Sequence, residues 1–201
     1  FHELNVASEE QWAAAIAAAV EKWGKLDIVV HNAAVVTPAS AVQDTTNAEF
    51  DLLIDVNIRG IFFGCKLAYP ELKKSKGCIV SIASMAGVSG QLEHAVYGAT
   101  KGAVNALTKC MAIDWAADGI RVNSICPAGV HTEALDMWVA DFPDPEGELR
   151  KWAGIHLMKR LTDPAEIAAA VSFLSSDDAS SITGSNMPVS GGSECGYNMS
   201  Q

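Results

Sequence analysis

The segment Tyr97-Gly98-Ala99-Thr100-Lys101 carries two side chains whose types and spacing could move a proton. Tyr97 and Lys101 are four residues apart in a stretch that is predicted to be helical over 97–117, so both side chains lie on one face. A free tyrosine has a pKa of about 10 and is a poor acid or base at pH 7. An adjacent ammonium group lowers that pKa, and a shift of about 3 units needs roughly 4 kcal/mol of phenolate stabilisation. The spacing therefore predicts a phenol tuned for proton transfer.

Ser84 follows an apolar run, residues 78–83, that is predicted to be a buried strand. Ligands of open α/β sheets bind beyond the carboxyl ends of the strands, which is where this hydroxyl would lie. A hydroxyl, a phenol and a cation that converge there could exchange a proton with a substrate oxygen. Tyrosine and lysine at this spacing also occur by chance on ordinary helices, and serine is common in turns, so the rest of the chain has to support this interpretation.

Five further segments, in order and spacing, resemble the short-chain dehydrogenases/reductases. They are residues 26–34, the pair Val56-Asn57, residues 121–127 with Val130 and Thr132 after them, residues 182–184 and residues 189–192. The resemblance covers nearly all 201 residues. It implies a Rossmann-like, doubly wound parallel sheet in a three-layer α/β/α arrangement, with NAD(P)-dependent interconversion of a secondary alcohol and a ketone.

The same resemblance implies a role for each of four side chains. Tyr97 would be the general acid and base, and Ser84 would hydrogen-bond the carbonyl oxygen of the substrate. Lys101 would lower the pKa of the phenol and hold the nicotinamide ribose. Asn57 would order a water molecule that extends the proton path to solvent. No metal ion is required, and the sequence shows no cluster of cysteine and histidine with metal-ligand spacing.

A second set of residues is implied to contact the cofactor, which is NAD or NADP. These residues are Asn5, Val6, Asn32, Ala33, Ala34, Val56, Tyr97, Lys101, Pro127, Val130 and Thr132. Three positions depart from the family's pattern. Asn5 replaces an aspartate that accepts from the adenine amine, and an amide oxygen can do the same. Ala34 replaces a glycine, and Ala128 stands where glycine normally follows Pro127, which leaves Gly129 one place late.

Residues 132–155 interrupt the alternation of strands and helices, and in the resembled family this position holds a helical insertion that covers the substrate. Its apolar side chains and few cations predict an apolar secondary alcohol, cyclic or steroid-like, rather than a phosphorylated one. The expected substrate-binding residues are Ser84, Tyr97, His94, Leu135 and Trp138. Alternatively, the segment is a surface subdomain whose aromatic rings pack on the core or on another subunit.

Strands and helices are predicted to alternate along one domain, as a parallel sheet covered on both faces requires. Capping motifs and apolar spacing predict helices over residues 8–24, 46–70, 97–117 and 164–175. Strands are predicted over residues 26–30, 78–83, 120–126 and 187–189, the first of them apolar enough to be buried on both faces.

Residues 1–6 look like the end of the family's third strand. We therefore expect two earlier strands and a glycine-rich phosphate turn in about 50–70 further residues before Phe1. The residue that selects NAD or NADP follows the second strand, so this sequence leaves that choice open.

Composition narrows the class of protein. A formal charge of −10 without a basic run argues against nucleic-acid partners. No apolar run of about 18 residues predicts a membrane span, and five scattered cysteines suggest neither a disulfide framework nor a zinc site. We expect a cytoplasmic protein that binds a small alcohol or ketone. The resemblance implies a homotetramer, or a homodimer, that pairs through the helices starting near Asn47 and Tyr97 and through residues 164–192. Apolar side chains in those segments support this contact: Leu67, Ala68, Ala103, Leu107, Phe173 and Val189.

Two other functions use comparable residues. A sugar-nucleotide epimerase also has the Tyr-x-x-x-Lys pattern, but it would need a larger C-terminal substrate domain than the residues after Gly192 provide. A non-catalytic module that binds or senses dinucleotides could share the fold. Such a module has no physical need to keep all four of Asn57, Ser84, Tyr97 and Lys101, so their presence favours the enzyme.

Overall fold

Four parallel strands form one sheet in the computed structural model, which describes residues 1–195. The strands are β1 (Ile28–His31), β2 (Cys78–Ile82), β3 (Arg121–Pro127) and β4 (Asn186–Val189), and they lie in this order across the sheet. Each strand pairs in parallel with the next. Helices join the strands and cover both faces, which confirms the predicted Rossmann-like three-layer architecture.

The helices follow the predicted alternation, with two short ones in the insertion. They are α1 (Glu9–Trp23), α2 (Asn47–Ile54), α3 (Gly60–Ser75), α4 (Ala95–Trp115), α5 (Glu133–Val139), α6 (Pro145–Gly154) and α7 (Pro164–Ser175). A π-helical turn, Asp55–Arg59, joins α2 to α3, and 3₁₀ turns occupy Met85–Gly87, Ala116–Asp118, Asp177–Ala179 and Ser193–Cys195.

Side-chain caps fix where these helices begin. Thr46 accepts from the Glu49 backbone N–H while the Glu49 carboxylate accepts from that of Thr46, which is the capping box predicted for α2. Asp163 begins α7 in the same way. Ser8 caps α1 by accepting from the N–H of Gln11, but the Gln11 side chain accepts from Asn5 instead of closing a box.

The helix predicted over residues 46–70 differs from the structure in two respects. It is divided by the π-helical turn, and α3 continues to Ser75 with Pro70 inside it. Proline lacks a backbone N–H, so it usually marks a helix end or kink. Here Ala68 and Leu72, on either side of Pro70, are fully buried, and this packing outweighs the loss of one hydrogen bond.

The core has one layer on each face of the sheet. Val29, Ile79 and Val122 belong to the larger layer, which α3 and α4 cover. Val80 and Ile125 point the other way into a smaller layer under α7.

The expectation that β1 is buried on both faces is wrong. Val29 and His31 are buried, but Ile28 and Val30 are 45% and 42% exposed. These two side chains share the α7 face of the sheet, and α7 packs over β2, β3 and β4 rather than over β1. Although β1 is apolar throughout, only one of its two faces is buried among the described residues.

Residues 1–6 do not form a strand, contrary to the prediction. In the classic doubly wound order the third strand is separated from the fourth by two others, so this segment has no hydrogen-bonding neighbour in β1. Instead, Val6 lies against Gly60, and the Trp12 indole donates to the Val6 carbonyl oxygen at 3.0 Å.

The predicted subunit-contact residues are not all available at the surface. Ala68 is fully buried inside the chain, whereas Phe173 is 41% exposed. Within residues 1–195, no helix is long and apolar enough to cross a membrane.

Candidate active site

Ser84 lies two residues beyond the end of β2 and caps the 3₁₀ turn Met85–Gly87, where its Oγ accepts from the Ala86 N–H at 3.1 Å. This turn packs directly on α4. A Cβ added at Gly87 would lie 2.5 Å from the Gly102 backbone nitrogen, so glycine is needed for the close approach. The contact brings Ser84 to the first turn of α4, where its hydroxyl is close enough to Tyr97 to influence the pKa of the phenol.

Tyr97 and Lys101 share one face of α4 as predicted, with the Lys101 ammonium 5.7 Å from the centre of the Tyr97 ring. The pKa of Tyr97, however, is raised rather than lowered. Burial disfavours the phenolate and raises the pKa, and this outweighs the opposing effect of the nearby Ser84 hydroxyl. Lys101 is directed at another acceptor, because its Nζ donates to the Ile82 carbonyl oxygen at 2.8 Å.

Lys101 is only 3% exposed, and burial lowers the pKa of its ammonium to about 8. An ammonium group carries three N–H donors. The carbonyl oxygen of Ile82 is its one acceptor among the described residues. Two donors therefore remain for a ligand at the carboxyl end of β2.

Asn57 lies in the π-helical turn and is 1% exposed. Its Oδ1 accepts from the Val35 N–H at 2.9 Å, while its Nδ2 donates to the Val35 carbonyl oxygen at 2.9 Å and to Thr100 Oγ1 at 3.2 Å. The side-chain amide therefore ties the loop after β1 to α4. The sequence analysis expected Asn57 to order a water molecule. It did not predict that the side-chain amide is hydrogen-bonded to Val35 and Thr100.

Thr100 is a site residue that sequence reasoning missed. It is fully buried, and its hydroxyl donates to the Tyr97 carbonyl oxygen at 2.8 Å while it receives the amide of Asn57. Hydrogen bonds thus run from Val35 through Asn57 and Thr100 to Tyr97. The sequence did offer one indication of this role, because Thr100 is a polar residue directly before Lys101 on a helix predicted to pack against the sheet.

The expected cofactor-binding residues group at the ends of β1 and β3. Asn32, Ala33 and Ala34 directly follow β1 and are exposed. Pro127 ends β3 and is buried. The other members are Val56 in the π-helical turn, Val130, and Thr132, which caps α5 by accepting from the Leu135 N–H at 3.2 Å.

Asn5 and Val6 precede α1, and Val6 lies against Gly60, the residue after the π-helical turn that carries Val56. The Asn5 side-chain oxygen accepts from the Ala7 N–H at 3.0 Å, so the oxygen expected to receive the adenine amine already has one local donor. Carbonyl oxygens accept two hydrogen bonds, and a second lone pair remains.

The expected substrate-binding residues divide into two groups. His94 precedes α4 and its ring lies 6.2 Å from that of Tyr97, edge to face, with Nδ1 at 2.8 Å from the Leu92 carbonyl oxygen. Leu135 and Trp138 belong to α5. The Trp138 ring packs on Phe142 and Trp152, at 4.7 and 6.1 Å between ring centres, so the insertion has its own aromatic cluster.

The donor set fits a nicotinamide dinucleotide. The unused ammonium donors of Lys101 suit ribose hydroxyls, and the exposed residues 32–34 lie where ligands of such sheets bind. Within the described part of the chain, no group of His, Cys, Asp and Glu side chains is placed to hold a metal ion.

Comparisons with known proteins agree with this geometry. A family model described as enoyl-(acyl carrier protein) reductase matches residues 1–194. L-fucose dehydrogenase of Oryctolagus cuniculus is 40% identical over 196 residues, which cover 98% of this chain and 69% of that protein. Cyclopentanol dehydrogenase of Comamonas testosteroni is 38% identical, with 96% and 75% covered.

Solved structures show the same fold with nicotinamide dinucleotides. ElxO with NADP bound superposes with a TM-score of 0.91 at 33% identity, over 98% of this chain and 78% of that one. NAD⁺-bound xylitol dehydrogenase gives a TM-score of 0.85 at 33% identity, over 93% and 76%. The chain belongs to the short-chain dehydrogenase/reductase family of oxidoreductases, and its cofactor is NAD or NADP.

Proposed function

We propose that this protein interconverts a secondary alcohol and a ketone by hydride transfer, with Tyr97 as the acid and base. The observation that carries the proposal is the meeting of Ser84, Tyr97 and Lys101 at the carboxyl end of β2. A phenol, a hydroxyl and an ammonium group at one place are suited to proton exchange with a substrate oxygen.

Ser84 and Tyr97 bind the substrate oxygen between them. In ketone reduction Tyr97 gives its proton to that oxygen, and in alcohol oxidation it removes the proton. Burial raises the pKa of Tyr97, so the phenol is protonated at neutral pH and ready to act as the acid. The oxidation rate accordingly rises with pH, as a larger fraction of the phenol is ionised.

The dinucleotide supplies or accepts the hydride, and the chain supplies position and electrostatics. Lys101 would hold the nicotinamide ribose with its two unused donors. The segment from Pro127 to Thr132 would hold the nicotinamide, while residues 32–34 and Val56 would hold the adenosine side with Asn5 and Val6.

The π-helical turn supports the proton path that the family resemblance implies for Asn57. Gly60 donates its N–H to the Asp55 carbonyl oxygen, so the Val56 carbonyl loses that α-helical donor. Such one-residue shifts expose backbone acceptors at functional sites. The relay water would bind the backbone of this turn, while the Asn57 side chain holds the turn against Val35 and Thr100.

Replacement of Tyr97 by Phe tests the reaction. Because acid–base catalysis contributes about 10²- to 10⁴-fold, we expect turnover to fall by at least about 10²-fold while dinucleotide affinity stays within about 2-fold. Steady-state kinetics and calorimetric titration with NAD⁺ and NADP⁺ measure both quantities. Wild-type turnover in Tyr97→Phe eliminates the mechanism. Dinucleotide binding by the wild type without turnover of any alcohol supports the sensing module instead.

The substrate in this proposal is an apolar, cyclic or steroid-like alcohol, covered by residues 132–155. Met137 and Trp138 in α5 are 74% and 44% exposed, which leaves apolar surface for such a molecule. One relative is named for cyclopentanol and another for a sugar, L-fucose. Turnover of cyclopentanol, L-fucose and a phosphorylated or carrier-bound ketone should be compared. Faster turnover of either of the last two overturns this assignment.

We also propose that the chain forms a homotetramer, or a homodimer, through α3, α4 and the segment from α7 to β4. Phe62 and Ile113 on α3 and α4 are 51% and 77% exposed, and Phe173 on α7 is 41% exposed. Apolar patches on two surfaces favour two kinds of symmetric contact. Sedimentation velocity at micromolar concentration should show the oligomer, and a monomer would refute the proposal.

A further inference from the structure

His156 lies just beyond the end of α6 and is fully buried. Its Nε2 accepts from the Gly129 backbone N–H at 3.1 Å. Gly129 belongs to the segment after β3 that carries Pro127, Val130 and Thr132. The imidazole therefore joins the insertion over residues 132–155 to the loop that precedes it.

Gly129 lies in a narrow space that this histidine helps to form. A Cβ added there would lie 2.9 Å from Leu161 Cδ2, 3.0 Å from His156 Cε1 and 3.2 Å from Trp152 Cε3. Gly129, which stands one place later than the glycine of the family's pattern, is thus in close contact with Trp152 of α6 and with His156. Glycine is favoured at position 129 because the space there leaves no room for a Cβ unless a neighbouring side chain shifts.

Backbone bonds hold the other side of the same loop. The Thr162 N–H donates to the Gly129 carbonyl oxygen at 3.0 Å, and the His131 N–H donates to the Thr162 carbonyl oxygen at 2.9 Å. Thr162 immediately precedes the cap of α7. Gly129 is therefore held through its carbonyl by Thr162 and through its N–H by His156.

The imidazole has an unusual hydrogen-bond state. Since Nε2 accepts from Gly129, a neutral ring carries its proton on Nδ1. That atom is buried and has no hydrogen-bond partner within residues 1–195. A buried donor without a partner costs stability, and such costs are typical of residues kept for function rather than for folding. An apolar side chain would fill the same space without an unpaired Nδ1.

We infer that His156 is a positioning residue for the nicotinamide end of the cofactor, acting through the N–H of Gly129 on the loop from Pro127 to Thr132. It also makes the position of this loop depend on α6, so the cofactor loop and the insertion shift together. This role rests on the proposed function, in which that loop holds the nicotinamide.

The test compares two substitutions at His156 in the full chain. His156→Leu keeps the volume and removes the acceptor, whereas a Gln side-chain oxygen at this position can still accept from Gly129. We expect His156→Leu to weaken binding of NAD⁺ and NADP⁺ about 10-fold and to raise the dinucleotide KM by the same factor. His156→Gln should stay within about 3-fold of wild type. Calorimetry gives the affinity independently of activity.

Glycine substitutions give a second, independent readout. Gly129→Ala pushes on His156 and Trp152, and we expect the same rise in dinucleotide Kd. Gly154→Ala is the matched control, because a Cβ there meets nothing within 4 Å, and its Kd should equal that of wild type. If His156→Leu and Gly129→Ala change only the melting temperature and leave Kd and KM unchanged, the role is structural and the inference fails. Failure here, with Tyr97→Phe inactive as expected, leaves the proposed reaction standing.

Discussion

At the scale of single residues, Lys101 is a buried charge that costs the fold stability at the candidate site. Its ammonium is 3% exposed, and burial brings its pKa to about 8 from 10.5. At 1.36 kcal/mol per unit, the charged form costs the fold about 3 kcal/mol at pH 7. One hydrogen bond to Ile82 returns about 1 kcal/mol of this. The buried charge therefore lowers the free energy of unfolding.

Lys101→Met should therefore stabilise the protein while it removes activity. Replacing the buried charge recovers about 3 kcal/mol and losing the Ile82 bond costs about 1, so we expect the melting temperature at pH 7 to rise by a few degrees. Turnover should fall and dinucleotide Kd should rise. Lys101→Arg keeps the charge and is the control without a gain in stability. A lower melting temperature for Lys101→Met than for wild type contradicts the argument.

The types and order of the proposed catalytic residues were predictable from the sequence, but their pKa values were not. Spacing placed Tyr97 and Lys101 on one helix face, and the end of a strand placed Ser84 near them. The raised pKa of Tyr97 depends on how deeply α4 packs against the turn after β2, which no local pattern records. The role of Thr100 likewise depends on a partner 43 residues away, Asn57.

At the scale of elements, the π-helical turn connects the loop after β1 to α4 through the side chain of Asn57. It presents Asn57 to the loop after β1 on one side and to α4 on the other. The capping box at Thr46 fixes where the preceding helix begins, so the position of the turn is set from the start of α2.

Asn57→Asp should break the hydrogen bonds by which this side chain connects the loop after β1 to α4. A carboxylate can still accept from the Val35 N–H, but it cannot donate to the Val35 carbonyl oxygen or to Thr100 and would be repelled by that carbonyl. We expect a loss of about 2–4 kcal/mol of unfolding free energy. Turnover per folded molecule should fall about 10-fold. Denaturant titration and active-fraction kinetics measure the two effects. Asn47→Asp, at the exposed start of α2, is the matched change and should be neutral, since the helix N-terminus favours an acid.

Elements with local signals were predicted well, and those that depend on distant neighbours were not. Capping residues and apolar spacing predicted α1, α7, the start of α2 and all four strands to within about two residues. The exposure of Ile28 and Val30 was missed because it depends on which strands α7 covers. The continuation of α3 through Pro70 was missed because buried neighbours outweigh the local preference.

At the scale of the whole molecule, a buried histidine links stability to pH. His31 ends β1 beside Ser81, with Nδ1 at 3.2 Å from the Ser81 hydroxyl, and its Nε2 has no partner within residues 1–195. Burial lowers its pKa to about 4 from 6.5. A Cβ at Gly64 would lie 2.4 Å from Nε2, so α3 is packed closely on the ring.

The unfolding free energy should fall as pH decreases from about 7 to 4. Between these limits the unfolded chain binds a proton at His31 and the native state does not, so the native state loses about 3 kcal/mol across the window. Above pH 7 the His31 contribution is constant. Urea titrations at several pH values should show this slope in wild type and in His2→Asn, a change at an exposed imidazole. The slope should be reduced in His31→Asn, and an equal slope in that variant would show that other groups cause it.

The engagement of Val35 by Asn57 has a consequence for hydrogen exchange. Residues 32–39 have no regular secondary structure, so their amide protons should exchange rapidly with solvent deuterium. Val35 is the exception, because its N–H is held at 2.9 Å by a side chain that is itself almost completely buried. Its proton can leave only when the π-helical turn, the loop after β1 and α4 separate. A single slow amide within a fast loop would thus measure the free energy of opening the site, with no substrate and no turnover required.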